Sequence, residues 1–155
     1  MRRKIVLVAL LICSPALAGD MITGRASVID GDTIEIRGER IRLHGIDAPE
    51  SSQSCERGGT AWRCGQKAAF ELANHLGARN VSCERLGQDR YRRTIARCTV
   101  GGEDIGSWMV GEGLALAYRK YSADYVREEA SAKAQGAGLW AGQFIAPWEW
   151  RRGAR

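Results

Sequence analysis

The chain has 155 residues, enough for one domain with a buried core and too few for two of ordinary size. Its 23 basic and 18 acidic residues give a formal net charge of +5, but three of the cations, Arg2, Arg3 and Lys4, belong to a segment that reads as a secretory leader. Without that segment the net charge is +2, which excludes a strongly basic chain and leaves global charge a poor argument for nucleic-acid binding.

In chain order, the leader comes first. A basic start, an apolar run over residues 5–13 that is too short to span a bilayer, and Ala16-Leu17-Ala18 predict cleavage before Gly19. Cleavage before Cys13, as in a lipoprotein, is disfavoured because bulky Ile12 stands where a small residue is wanted. The mature chain, residues 19–155, is then expected to be exported, periplasmic or secreted, with no membrane association. It begins with strands. Ile22, Gly24, Ala26 and Val28 alternate with polar neighbours, Asp30-Gly31 signals a two-residue turn, and Ile34, Ile36, Ile41 and Leu43 continue the period of two around Gly38. Arg42 and His44 point away from the face that Ile41 and Leu43 bury, and Gly45 shifts the phase.

A helix follows, with Ala61, Gly65, Ala68, Ala69, Leu72 and Leu76 on one face and Gly77 as its stop. Residues 80–86 and 92–100 read as a hairpin around Gly87-Gln88-Asp89. A short helix is expected from an Asp104 N-cap to Gly111 or Gly113, and a longer one from about Ser122 to Gln135. Trp140, Trp148 and Trp150 read as core and lid packing. There is no repeat, linker or low-complexity tract. Five short strands interrupted by a helix predict an α+β, β-rich fold: a five-stranded, partly open barrel of the OB type with about three packed helices.

Export sets the reading of the cysteines. Once Cys13 is gone, Cys55, Cys64, Cys83 and Cys98 remain, and none of their spacings makes a Cys-x-x-Cys zinc pair. Two disulfides are expected, Cys55–Cys64 and Cys83–Cys98, the second because a hairpin centred near residue 90 sets 83 opposite 98.

The chemistry concentrates at Asp30-Gly31-Asp32-Thr33 and Arg42-Leu43-His44-Gly45-Ile46-Asp47-Ala48-Pro49-Glu50. Four carboxylates within 21 residues repel one another unless a cation sits among them, and calcium or magnesium is the natural partner of hard oxygen ligands. The arginine among them points to a phosphate as well. Any one of these acids is also an ordinary turn residue, but their coincidence is not. The other arginines fall at 37, 40 and 42, at 90, 92, 93 and 97, and at 151, 152 and 155, and most read as solvated surface charge.

These motifs resemble the staphylococcal nuclease (thermonuclease) family. The Asp-Gly-Asp-Thr turn, the Arg…Asp-x-Pro-Glu element and an Asp-x-Tyr-x-Arg hairpin at Asp89, Tyr91 and Arg93 occur in order, and the tail Pro147-Trp148-Glu149-Trp150-Arg151-Arg152 resembles exported bacterial members. The resemblance implies a calcium-dependent nuclease acting on DNA and RNA. Asp32 and Asp47 would bind Ca2+ with the Ala48 backbone carbonyl, Asp30 would stand behind them, Glu50 would activate water, and Arg42 and Arg93 would hold the phosphate. Tyr121 matches a base-stacking tyrosine of the family and Tyr118 lies near, out of register. Ala48 replaces the family's threonine, which matters little where only the carbonyl is used. His44 reads as a bystander beside Arg42, and His75 as an ordinary helix residue. The alternative is a non-catalytic OB module that binds nucleic acid or an anionic polysaccharide, and a third is a structural protein with a vestigial calcium site. Retention of Asp32, Arg42, Asp47, Glu50 and Arg93 favours the enzyme, expected as a monomer.

Overall fold

Alternation of apolar and polar residues builds the first sheet. In a computed structural model describing residues 20–154, β1 (Met21–Asp30), β2 (Thr33–Ile36) and β3 (Glu39–Leu43) form an antiparallel meander. The expected leader and the cleavage point before Gly19 lie outside the described residues. The first turn is displaced by one residue from the expected Asp30-Gly31. Asp30 pairs with Thr33 across Gly31-Asp32, because β1 runs on to Asp30 and a register shift lies between Val28 and Asp30.

Gly45, in the left-handed region at φ 72°, ends the meander and re-aims the chain, as the phase shift predicted. The next piece, β4 (Ile46–Asp47), leaves the main sheet. The segment after Glu50 then forms a small hairpin that the sequence reading did not anticipate: β5 (Cys55–Arg57) and β6 (Thr60–Trp62) around Gly58-Gly59, both with positive φ. Ala61 therefore sits in β6 rather than in the helix, and α1 (Cys64–Leu76) starts three residues later than its apolar spacing suggested. It buries Ala68, Leu72 and Leu76 and stops at Gly77.

The expected hairpin is β7 (Asn80–Gln88) and β8 (Thr94–Val100), longer on its first arm, with a bulge between Arg85 and Gly87. Cys83 faces Cys98 across it, and both expected disulfides form, with Cα–Cα separations of 5.7 Å for Cys55–Cys64 and 4.0 Å for Cys83–Cys98. β7 pairs with β1, and β8 pairs in parallel with β3, so the ring β1-β2-β3-β8-β7 closes into a five-stranded mixed barrel. Ile34, Ile36, Ile41, Leu43, Val81, Ala96 and Val100 fill it, each large aliphatic contributing about 1.5–3 kcal/mol by leaving water.

Beyond the barrel, β9 (Glu103–Asp104) leads into α2 (Ile105–Gly111), capped as expected by the Asp104 carboxylate on the Ser107 N–H at 2.9 Å. Next, β10 (Leu116–Ala117) pairs with β4 and holds it beside the barrel. The third helix, α3 (Val126–Gln135), begins four residues after the expected Ser122, whose hydroxyl instead accepts the Asp124 N–H in a turn at 3.0 Å. A 3-10 turn (Gly138–Ala141) and the short α4 (Pro147–Trp150) finish the chain. Trp140 and Trp148 pack on a second cluster with Cys55, Cys64, Leu116 and Leu139, so the packing expected of them holds. None of the described helices is long and apolar enough to cross a membrane.

Candidate active site

The two-residue turn after β1 places Asp32 over the barrel mouth. Its Oδ2 accepts the Ala48 N–H at 2.9 Å, its backbone N–H donates to Asp30 Oδ1 at 3.0 Å, and its Oδ1 meets the Arg42 guanidinium from the adjacent strand. Arg42 reaches across to Asp47 Oδ1 at 2.9 Å, so one guanidinium bridges two buried carboxylates. Thr33, cross-strand partner of Arg42, donates its hydroxyl to Asp32 at 3.1 Å and accepts Arg93 Nη1 at 3.4 Å, linking the Arg93 hairpin to the same acids.

Charge follows from this packing. Burial works to raise the Asp32 carboxyl, but the Arg42 charge and the Ala48 N–H outweigh it and hold it below the usual range. Asp30 goes the other way: burial, then the Asp32 charge beside it, pushes it up to about 6. Burial also raises Asp47 despite its arginine partners, while burial of Arg42 is outweighed by Asp32 and Asp47, which keep its guanidinium firmly charged. The site is an acid cluster with its cations already inserted.

Two close approaches set the height of this cluster. A Cβ on Gly31 would stand 2.6 Å from the Ala48 Cβ, and one on Gly65 would stand 1.7 Å from the Glu50 carbonyl oxygen. Gly65 lets the backbone of residues 49–50 lie directly on α1, and Gly31 lets the turn after β1 close over Ala48 and Ala68. Gln53, fully buried, fixes the same segment. Its backbone N–H donates to the Glu50 carbonyl at 2.7 Å, its Oε1 accepts the Glu50 N–H at 3.3 Å, and its Nε2 donates to the Ile145 carbonyl at 2.7 Å. Gln53, two residues before β5, thus fixes the backbone of Glu50.

The Asp-x-Tyr-x-Arg hairpin works as a clamp. Asp89 accepts the N–H groups of Tyr91 at 2.8 Å and Arg93 at 2.9 Å, and its other oxygen takes Arg93 Nε at 2.7 Å. Burial alone would raise Asp89, but these donors hold it below the usual range. Arg93 is aimed by the turn that carries it.

Asp32, Arg42, Glu50 and Arg93 line one open groove of about 1960 Å³, with Asp47 buried behind them. Nine cations and six acids among the described residues border it, so the small surplus of positive charge in the chain is gathered here. At its far wall Tyr118 stacks on Trp148 at 5.5 Å and meets Tyr121 edge-on at 4.9 Å. Tyr121 is 67 % exposed, with Lys120 above its ring.

A family model described as staphylococcal nuclease homologue matches residues 40–142. The chain belongs to the staphylococcal nuclease family. Among relatives in this family, an uncharacterized endonuclease of Haemophilus influenzae is 36% identical over 97% of this chain and 86% of its own length. A micrococcal nuclease of Shigella flexneri is 33% identical over 96% of this chain and 90% of its own. A protein of Rhizobium meliloti named for succinoglycan biosynthesis, ExoI, is 42% identical over 89% of this chain and 74% of its own.

Within this staphylococcal nuclease fold the expected residues do gather, with two additions. Arg151, read from sequence as tail charge, reaches Asp47 with both terminal nitrogens, at 3.0 and 2.8 Å, and Glu50 at 2.7 Å. Gln53 is the other. The tail motif was the only signal for Arg151, and nothing in the sequence marked Gln53. Among the described residues no three Asp, Glu, His or Cys side chains converge as a ready metal cage, since Arg42 and Arg151 lie on the acids. The donor chemistry still fits a hard cation: two buried carboxylates, a third acid beside them, and a backbone carbonyl at Ala48. His44 lines the groove but turns its ring to Asp124 at 3.2 Å, and His75 pairs with Glu103 at 3.1 Å and stacks on Trp108 at 3.8 Å.

Proposed function

We propose that this protein is an exported, calcium-dependent phosphodiesterase that cleaves DNA and RNA. The observation that supports it most is the gathering of Asp32, Arg42, Asp47, Glu50 and Arg93 at one basic groove in a fold of the staphylococcal nuclease family. Relatives named as micrococcal nuclease and endonuclease agree with it. Asp32, Asp47 and the Ala48 carbonyl would hold the cation, which would supply positive charge against the phosphate and make water more acidic. Glu50 takes the proton of the attacking water. Arg42 and Arg93 grip the non-bridging oxygens and stabilise the negative charge that grows on them. Arginine suits this better than lysine because its planar fork takes two oxygens and stays charged. Asp30 fixes the Asp32 loop through the Asp32 N–H. Tyr121, with Tyr118 behind it, offers a sequence-tolerant stacking surface for a base. Two disulfides accord with export, and the activity requires no more than a monomer.

The test is plasmid DNA and RNA incubated with the purified, oxidised protein in calcium or in EDTA, beside Glu50→Gln. Degradation should depend on calcium and fall by about 10²–10⁴ in the variant. Intact nucleic acid in every lane, with the protein folded, leaves the binding-module reading. One observation favours a second substrate: the 42% identical relative is named for succinoglycan biosynthesis, and a basic groove also suits an anionic polysaccharide. Adding such a polymer to the same assay separates the two.

A further inference from the structure

Arg151 contacts the acids in a way that conflicts with a bound cation. Its Nη1 donates to Asp47 Oδ1 at 3.0 Å and to Glu50 Oε1 at 2.7 Å, and its Nη2 donates to Asp47 Oδ2 at 2.8 Å. Arg42 Nη2 also donates to Asp47 Oδ1 at 2.9 Å. A carboxylate oxygen has two lone-pair sites, so Oδ1 is filled and Oδ2 is half filled by guanidinium donors. A divalent ion touching Asp47 would stand within about 4 Å of the Arg151 charge in a poorly solvated place, where like charges repel strongly.

One of the two arginines can yield. The side chain of Arg42 is 14% exposed and rises from barrel strand β3 between two acids. That of Arg151 is 38% exposed and follows α4, a four-residue helix whose Trp148 rests on Tyr118. Rotation of the Arg151 side chain would free Asp47 Oδ2 and Glu50 Oε1 without moving the barrel, with Arg42 left on Asp47 Oδ1.

We propose that Arg151 is an internal counter-ion, paired with Glu50, that competes with the divalent cation for Asp47, so that the cation binds as this guanidinium withdraws. This rests on the reading of Asp32 and Asp47 as cation ligands. In the groove the competitor has two consequences. It keeps the acid cluster neutralised and folded when calcium is scarce, and it raises the calcium concentration at which the site fills. The second places a threshold on activity set by the tail rather than by the acids.

The experiment is calcium titration by calorimetry, with thermal unfolding as a second readout, on the oxidised wild-type protein, Arg151→Ala, Arg151→Gln and Arg152→Ala. Arg152 is the control, since its Nε donates to the Trp148 carbonyl at 3.2 Å. Loss of the competitor should tighten calcium binding about tenfold in both Arg151 variants, a typical coupling between linked equilibria. It should also lower the melting temperature in EDTA and enlarge the rise that calcium produces. Arg152→Ala should match wild type. Arg151→Gln keeps a long polar side chain and answers the question if the alanine variant does not fold. Equal or weaker calcium affinity in the Arg151 variants overturns the competition while leaving the cation site standing. No calcium binding by any of the proteins overturns the cation site and the competition together.

Discussion

Gly65→Ala is the smallest change that should separate the position of Glu50 from its chemistry. A Cβ at residue 65 would lie 1.7 Å from the Glu50 carbonyl oxygen and 2.5 Å from the Glu50 carbonyl carbon, where real contacts do not fall below 3.0 Å. The carbonyl must therefore retreat by at least 1.3 Å, or α1 must withdraw by the same amount. Neither yields freely. The same carbonyl accepts the Gln53 N–H at 2.7 Å, and the Gln53 carbonyl accepts the Gly65 N–H at 3.3 Å. Overpacking of this kind costs about 1–3 kcal/mol. The better helix propensity of alanine returns up to about 1 kcal/mol, leaving a net loss between about 0 and 3 kcal/mol. Activity should fall further than stability, because a shift of an ångström in a reacting group costs about 10² in rate. Urea unfolding and initial rates on DNA read the two effects separately. Gly111→Ala is the matched control: Gly111 also lies in a helix, but its Cβ would meet nothing within 4 Å, so it should be neutral or slightly stabilising and fully active. Wild-type stability and wild-type rate in Gly65→Ala would refute the claim that this contact sets the height of Glu50.

Two further substitutions test the charges. Arg42→Ala and Arg93→Ala should each lose about 10²–10³ in rate, the scale for a group that stabilises transition-state charge. They should part in stability. Arg42 neutralises two buried acids and its loss should cost about 3–5 kcal/mol, whereas the more exposed Arg93–Asp89 pair contributes at most about 1 kcal/mol. Urea titrations giving equal losses would remove Arg42 as the counter-ion of the cluster. Asp30→Asn tests the raised carboxyl. A carboxyl whose folded pKa, about 6, lies above its unfolded value binds a proton more tightly when folded, so the native state loses stability as pH rises from about 4 to above 6. Asparagine keeps an oxygen for the Asp32 N–H without the charge. The variant should be more stable than wild type by about 1–2 kcal/mol at pH 8 in EDTA, the expected shift discounted for partial exposure, and equal to it at pH 4. A destabilised variant at pH 8 would reverse the sign of the argument.

The barrel was legible because strands write themselves locally. Ile34 and Ile36, then Ile41 and Leu43, alternate along four or five residues, and the hairpin that places Cys83 opposite Cys98 follows from a single centre of symmetry. Helix starts were less legible. Ala61 has the spacing of the α1 face, but Gly58-Gly59 turns the chain back and commits residues 60–62 to a strand, a preference for positive φ that outweighs apolar period. At the site, Asp32, Arg42, Asp47 and Glu50 were visible because they are neighbours in sequence as well as in space. Arg151 was not, since it meets Asp47 across 104 residues and Glu50 across 101, and its sequence context is only that of a basic tail. It also lies outside the stretch, residues 40–142, that the family model matches. The acids therefore take their partners from two sources with different freedom. Arg42 comes from the barrel and is fixed by strand register, while Arg151 comes from a C-terminal segment that packs on a separate apolar cluster, and its half-exposed side chain reaches the acids through charge contacts alone. A site built this way can exchange one counter-ion for another without disturbing the fold that presents it.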